Sequence, residues 1–186
     1  AYFSRLNRFL KKEKVGRPTL LVDTLRLQEN VLKLTTHLHA IGRHYRIVAK
    51  SLPSLGLIQE IMRLAGTKRI MTFQQPFMND LALAEPDADL LLGKPMPVDA
   101  VERFYAKLTG AFDPSRQVMW LIDTRARLDQ YLALAQRLNQ RLRISLETDV
   151  GLHRGGLTDP AQLDDLMAIL LANPAHLEFA GFMGYD

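Results

Sequence analysis

Short apolar runs alternate with longer amphipathic segments along most of the chain, and this alternation limits the fold more than any other feature. The segments between the runs place apolar residues at helical spacing, as Leu27, Val31 and Leu34 do. Strands that alternate regularly with helices of about 10–15 residues indicate βαβ units and a parallel sheet. The runs predict strands at 20–23, 46–49, 69–73, 89–92, 117–122, 143–147 and 178–183.

The turn after the first predicted strand favours a barrel over a doubly wound sheet. A doubly wound sheet usually has a glycine-rich turn there, whereas this chain has DTLR at 23–26. We therefore predict an α/β fold, a (β/α)8 TIM-type barrel formed by residues 1–186 as one domain. A complete barrel takes about 250 residues. The chain starts without Met and stops directly after an apolar run, so we expect a piece of a longer protein that ends before the last barrel strands.

Composition and charge exclude several classes of protein. Hydrophobic residues make up 47% of the chain, which supports a large core and argues against disorder. The absence of Cys excludes a disulfide framework and fits the cytoplasm. The net charge of +4 comes without a basic stripe interleaved with aromatics, so we expect no nucleic-acid partner. No run reaches the about 20 apolar residues of a membrane span, so we expect no membrane partner and an N-terminal amphipathic helix packed on the domain.

A lysine closes the second predicted strand. Lys50 follows the apolar residues 47–49, and functional side chains of barrels gather at the C-terminal ends of strands. Burial at that place would lower the pKa of the amine and make it nucleophilic, which suits a Schiff base with an aldehyde. A surface lysine whose stem passes the strand end is the alternative interpretation.

Two later strand ends also carry residues suited to ligand binding. The segment DVGLHRGG at 149–156 combines Asp149 and Arg154 with three glycines, which favours close approach of the backbone to a ligand. A plain loop in which Asp149 caps and Arg154 is solvated is the other interpretation. The segment GFMGYD at 181–186 places Tyr185 after the last strand, where it can lie on a cofactor ring or belong to the rim.

In this order and spacing the motifs resemble the fold-type III pyridoxal phosphate (PLP) enzymes, which include alanine racemase, D-threonine aldolase and D-serine dehydratase. The opening RPTLLVDTLRLQENVLKL is similar to the family's first strand and helix, with Asp23 and Asn30 at the family's positions. The resemblance covers residues from about 17 to 186. It is carried by AKSLPS around Lys50, by DVGLHRGG and by GFMGYD.

The resemblance implies a role for three residues. Lys50 would hold PLP as a Schiff base and act as the catalytic base, while Arg154 would sit beside the phenolic oxygen of the pyridine ring. Tyr185 would pack on the face of the ring, a choice that favours the aldolase and dehydratase branch over true alanine racemases. Neighbouring residues of a strand point to opposite sides, so we expect no catalytic role for His153.

The resemblance also implies a reaction class and partners. It implies a PLP-dependent enzyme that acts at Cα of an amino acid, in the D configuration, by retro-aldol cleavage, β-elimination or racemisation, and that is a homodimer at full length. The family's C-terminal β-domain is absent from this chain, and a divalent metal would bind outside it, so no metal ligand is assigned here. A non-catalytic PLP carrier of the same superfamily remains an alternative, as does a barrel lyase with a Schiff-base lysine and no cofactor.

Overall fold

Six parallel strands form a single sheet in the computed structural model, which describes residues 1–51 and 53–186; Leu52 of the AKSLPS motif lies outside the described residues. Each strand pairs in parallel with the strand that precedes it in the chain. This sequential order is that of a (β/α)8 barrel, here open between the first and last strands. The strands are β1 (Ile47–Val48), β2 (Arg69–Thr72), β3 (Asp89–Leu92), β4 (Val118–Ile122), β5 (Leu142–Thr148) and β6 (Leu177–Gly184).

Helices precede or connect the strands. They are α1 (Tyr2–Lys12), α2 (Thr24–Ala40), α3 (Leu55–Ala65), α4 (Gln75–Ala84), α5 (Val98–Ala106), α6 (Pro114–Gln117), α7 (Arg125–Leu138) and α8 (Pro160–Ala172). All of them except α1 and the short α6 form the layer outside the sheet. Four helices begin with a residue whose side-chain oxygen accepts a backbone N–H of the first turn, which satisfies donors that the helix leaves unpaired. These residues are Asp23, Asp113, Thr124 and Asp159. Among the described helices, none combines the length and the apolar character that a bilayer crossing requires.

The core lies between the sheet and its outer helices and is centred on an aromatic cluster. The ring of Trp120 on β4 is 5.7 Å from that of Phe104 on α5 and 6.0 Å from that of Tyr131 on α7, both edge to face. All three side chains are fully buried. The Tyr131 hydroxyl donates to the Met96 carbonyl at 2.9 Å, so the cluster also ties α7 to the segment that leads into α5.

The strand predicted at 20–23 is not formed, so the sheet has six strands and not seven. Leu20 is 76% exposed, and Leu21 and Val22 are also exposed. An apolar run becomes a strand only where another strand offers hydrogen bonds, and no described strand lies beside this run. Asp23 instead begins α2, where its carboxylate accepts the Arg26 N–H at 3.2 Å.

An ion pair at the N-terminal ends of the strands holds β1 to the sheet. β1 pairs with β2 through only two residues. Arg46, directly before β1, donates to the Asp89 carbonyl at 2.8 Å and to both Asp89 carboxylate oxygens at 3.1 and 3.0 Å. Asp89 begins β3, so the guanidinium reaches past β2. Its side chain is only 18% exposed, which makes this two-pronged contact stronger than an ordinary surface pair.

Candidate functional site

The C-terminal ends of all six strands meet at one edge of the sheet, because the strands are parallel. We call the residues at this edge the candidate site. Each strand contributes at least one side chain or a close backbone approach. The residues are Lys50 after β1, Phe73 after β2, Gly93 and Lys94 after β3, Asp123 after β4, Glu147 on β5 with Asp149 and Arg154 after it, and Tyr185 after β6.

An aromatic ring contacts the lysine. Val48 pairs with Met71, so the residues two positions further along each strand, Lys50 and Phe73, share the same face. The Lys50 ammonium nitrogen lies 5.4 Å from the centre of the Phe73 ring, within the range of a cation–π contact. A Cβ on Gly93 would come within 2.4 Å of the same ring. Gly93 therefore leaves the space that the ring beneath Lys50 occupies.

Lys50 is exposed in this six-stranded sheet. The reason lies in its position: it follows the edge strand β1, and no described strand lies on the outer side of β1. The structure also does not bring Lys50 into contact with the other two predicted cofactor residues. Among the described residues its amine forms neither an ion pair nor a hydrogen bond, and it is open to a reagent.

Arg154 and Tyr185 come together at the ends of β5 and β6. The guanidinium carbon of Arg154 lies 4.4 Å from the centre of the Tyr185 ring, a distance at which the ring face attracts the cation. On its other side, Arg154 approaches the carboxylate of Glu147, with 3.9 Å between nitrogen and oxygen. The guanidinium thus lies between a phenol and a buried acid.

Glu147 is a site residue that the sequence did not single out. It is 2% exposed, and its Oε2 has no hydrogen-bond partner among the described residues. Burial raises the pKa of Glu147; Lys94 and Arg154 oppose the rise, and Asp123 adds to it. The available signal was an acidic residue between two apolar positions of β5 and the polar end of the strand. At that place its face is shared with Ser145, which is buried too.

The loop that carries Arg154 is closed at its base and organised by one carboxylate. The Asp149 N–H donates to the Leu157 carbonyl at 3.0 Å, and the Leu157 N–H donates to the Glu147 carbonyl at 2.8 Å. Asp149 Oδ1 accepts the N–H groups of Gly151 and His153, each at 3.1 Å, and Oδ2 lies 2.7 Å from His153 Nδ1. These contacts, the imidazole first, lower the pKa of Asp149. The His153 imidazole thus contacts Asp149 within the loop.

A second constraint on the loop comes from Gly156. Its φ is +100°, and a Cβ there would lie 2.7 Å from the Asp149 nitrogen and from the Thr148 carbonyl carbon. Backbone atoms cannot give way as a flexible side chain can, so only glycine fits. A Cβ on the neighbouring Gly155 would meet its nearest atom, Asp123 Oδ2, at 3.5 Å, an ordinary contact.

The remaining residues of the family pattern lie away from the candidate site. Asp23 caps α2, and Asn30 is exposed on the same helix. Within residues 1–51 and 53–186, no group of three or more His, Cys, Asp or Glu is arranged to hold a metal ion.

The chain is similar to a known protein family and to several solved structures. A family profile described as "Alanine racemase, N-terminal domain" matches residues 22–186. No curated protein sequence matches the chain.

Solved structures with a similar fold share little sequence with the chain. D-threo-3-hydroxyaspartate dehydratase from Delftia sp. HT23 has a TM-score of 0.68 at 18% identity over 88% of this chain and 41% of its own. Alanine racemase from Oenococcus oeni has a TM-score of 0.67 at 15% identity over 86% of this chain and 44% of its own. Histidine racemase from Leuconostoc mesenteroides subsp. sake has a TM-score of 0.65 at 15% identity over 86% of this chain and 40% of its own. The chain therefore spans less than half the length of these relatives.

Proposed function

Because the chain belongs to the alanine racemase N-terminal domain family, we propose that it forms the cofactor-binding barrel of a PLP-dependent enzyme acting at Cα of an amino acid. One observation carries the proposal: the same edge of the sheet bears an accessible amine, Lys50, and a guanidinium stacked on a phenol, Arg154 on Tyr185. The names of the three solved relatives, two racemases and a dehydratase, each specify an amino acid, which supports this substrate class.

The residues of the site fit an anionic aldehyde cofactor. Lys50 offers an amine that no described acid occupies, and this amine would hold the cofactor by condensing with its aldehyde group and releasing water. Arg154 is permanently charged and would hold the ring oxygen of the cofactor as an anion, while Tyr185 would lie on the ring face. When bound, PLP supplies an electron sink that makes a bond to Cα easier to break.

The chain's own residues would then bind, orient and move a proton. Once its amine is free, Lys50 would accept or return the Cα proton on one face of the substrate. Glu147, 3.9 Å from the guanidinium, would attract Arg154 towards the site beside Tyr185. Asp149 holds the loop backbone on which Arg154 stands.

The finer reaction follows from the resemblance alone. Tyr185 at the position where alanine racemases have His favours retro-aldol cleavage or β-elimination of a β-hydroxy D-amino acid over racemisation. We propose a cytoplasmic homodimer at full length, with any divalent metal bound outside this chain.

Replacing Lys50 tests the proposal directly. We expect the full-length protein to take up PLP, to show a visible absorbance band and, after borohydride reduction, to carry the cofactor on the peptide that contains Lys50. Lys50→Ala should abolish both signals because the covalent bond is lost, and Lys107→Ala, at an exposed helix end, should retain them.

Label on another lysine, or an unchanged band in Lys50→Ala, would remove Lys50 from its proposed role. Turnover of D-threonine or D-serine by the loaded full-length protein then tests the reaction class. Tight PLP binding without turnover of any amino acid would favour the carrier alternative.

A further inference from the structure

The positive charge of the chain is concentrated at its start. Residues 1–22 hold six of the 24 Lys and Arg and one of the 20 Asp and Glu. That segment therefore carries a net charge of +5, whereas residues 23–186 together carry −1. The net charge of +4 is therefore the sum of one short, strongly basic segment and an almost neutral domain.

The cations and the large apolar side chains of α1 lie on different faces. At 3.6 residues per turn, each set falls within an arc of about 120° and the two arcs do not overlap. The basic face consists of Arg5, Arg8, Lys11 and Lys12, and the apolar face of Tyr2, Phe3, Leu6, Phe9 and Leu10.

The described residues cover the apolar face of α1 only in part. None of the 11 residues of the helix is buried, and Phe3 and Phe9 are 74% and 56% exposed. The helix is attached near its first turn, where the Arg26 guanidinium lies 4.2 Å from the centre of the Tyr2 ring. A groove of about 690 Å³ separates α1 from residues 21–26. Leu25, which lines this groove, is also exposed.

We propose that α1 lies on the surface of an anionic lipid bilayer, with Phe3 and Phe9 in the boundary between headgroups and acyl chains. A helix with separate basic and apolar faces is suited to this position, because its cations meet lipid headgroups while its aromatics leave water. The two faces run side by side along the whole described helix, so α1 binds along the surface. This departs from the sequence expectation of no membrane partner, which treated the helix as packed on the domain.

Charge argues for a lipid surface over a second copy of this chain. Two copies that met through α1 would bring together two segments of +5 each, and like charges at close range oppose association. A bilayer with anionic lipids offers a dense negative surface instead, and attraction to it amounts to about a fivefold gain in partitioning for each Lys or Arg.

The test is co-sedimentation of the full-length protein with vesicles. We expect binding to vesicles of equimolar phosphatidylcholine and phosphatidylserine, and much weaker binding to phosphatidylcholine alone. Binding should weaken in about 1 M salt, where charges are screened beyond about 3 Å. Replacing Arg5, Arg8, Lys11 and Lys12 by Gln should lower the partition coefficient about fivefold for each charge. Phe3→Ser with Phe9→Ser should lower it about tenfold for each ring.

The controls place equivalent changes elsewhere. Leu171→Ser removes a similarly exposed apolar side chain from α8, and Lys107→Gln removes an exposed cation after α5; both should bind like the wild type. Absence of binding to the anionic vesicles overturns the proposal, as does equal binding to both lipid compositions. Self-association without lipid, measured by sedimentation velocity and lost in the Phe3 and Phe9 double variant, would assign this face to a second copy and also overturn it.

Discussion

At the scale of single residues, two charged side chains meet at the end of β5, and only one of them reaches solvent. Glu147 is buried, whereas Arg154 is partly exposed between Glu147 and the Tyr185 ring. A buried carboxylate is costly unless cations or hydrogen bonds compensate it. Arg154 and Lys94 supply cations, but Oε2 has no described hydrogen-bond donor. Burial raises the pKa of this carboxylate, and groups with shifted pKa values are concentrated at functional sites.

Glu147→Gln is predicted to change how stability depends on pH. Burial raises the pKa of Glu147 in the folded protein, above the about 4.3 of an unfolded chain. Between these two values the folded state binds more protons, so the stability of the wild type falls as the pH rises through this window. Gln does not titrate. The free energy of unfolding of Glu147→Gln, measured against that of the wild type, should therefore rise with pH above about 4.3 and level off above the folded pKa.

Thermal or denaturant unfolding of both proteins across this pH range measures the effect. A difference that stays constant with pH, or that shrinks as the pH rises, would show that burial does not shift the titration of Glu147.

The sequence pointed to Arg154 and Tyr185 as one site, and the structure brings them into contact; their roles toward a cofactor remain predictions. Glu147 could not be predicted in the same way. Its burial depends on where β4, β6 and Gly155 lie around it, and these contacts are distant along the chain or depend on the loop's closure. Burial of Lys50 could not be predicted for a related reason, since burial at a strand end depends on the neighbouring strands and not on the apolar residues before it.

At the scale of elements, the loop 149–156 shows how a local sequence fixes a conformation. Three donors converge on the Asp149 carboxylate, two backbone hydrogen bonds to Leu157 close the base, and Gly156 passes against the backbone at Thr148. The loop therefore presents Arg154 from a rigid support.

Gly156→Ala is predicted to destabilise this loop. The added methyl would lie 2.7 Å from backbone atoms at a φ of +100°, so the backbone must move. We expect a loss of about 2 kcal/mol in the free energy of unfolding, measured by denaturant titration, together with faster hydrogen exchange of the His153 amide.

Gly155→Ala is the matched control. Its Cβ would meet its nearest atom at 3.5 Å, so its stability should stay within about 0.5 kcal/mol of the wild type. Equal losses in the two variants would mean that the close approach at Gly156 does not constrain the loop.

The elements were predicted best where the pattern alone decides them. The strand predicted at 89–92 has the same bounds as β3, because three consecutive leucines between Asp89 and Gly93 leave little room for another assignment. The run at 20–23 has the same local character but no strand beside it. Strand formation needs hydrogen bonds from another segment, and that requirement is invisible in a window of four residues.

At the scale of the whole molecule, the sheet is joined to its outer layer by aromatic packing and by a buried hydroxyl. The Tyr131 hydroxyl donates to the Met96 carbonyl inside the core. The Tyr105 hydroxyl is also buried but lacks hydrogen-bond geometry with any described partner, although the Trp120 ring lies beside it. The two tyrosines thus differ in hydrogen bonding within one aromatic cluster.

Tyr131→Phe and Tyr105→Phe should therefore have different effects. Removing the Tyr131 hydroxyl leaves the Met96 carbonyl unpaired and should cost about 1–2 kcal/mol in the free energy of unfolding. Removing the Tyr105 hydroxyl breaks no hydrogen bond and should be neutral or stabilising. Denaturant unfolding of both variants checks this, and a larger loss in Tyr105→Phe would contradict the assignment.

The parallel sheet and its strand order were predictable because each βαβ unit repeats the same pattern along the chain, from Ile47 to Met183. The closure of the barrel is a different kind of property. It requires the first and last strands to find one another, and in the described residues β1 and β6 remain at opposite edges.

The contact between Arg46 and Asp89 has a consequence for the order of assembly. Asp89, which accepts the hydrogen bonds of Arg46, begins β3 and lies 43 residues later in the chain. Few contacts therefore hold β1 until β2 and β3 have paired. During synthesis the segment that ends in Lys50 would leave the ribosome first and yet join the sheet late. Lys50, on which the proposed chemistry depends, would thus reach its place only after β2 and β3, which are synthesised later, have paired.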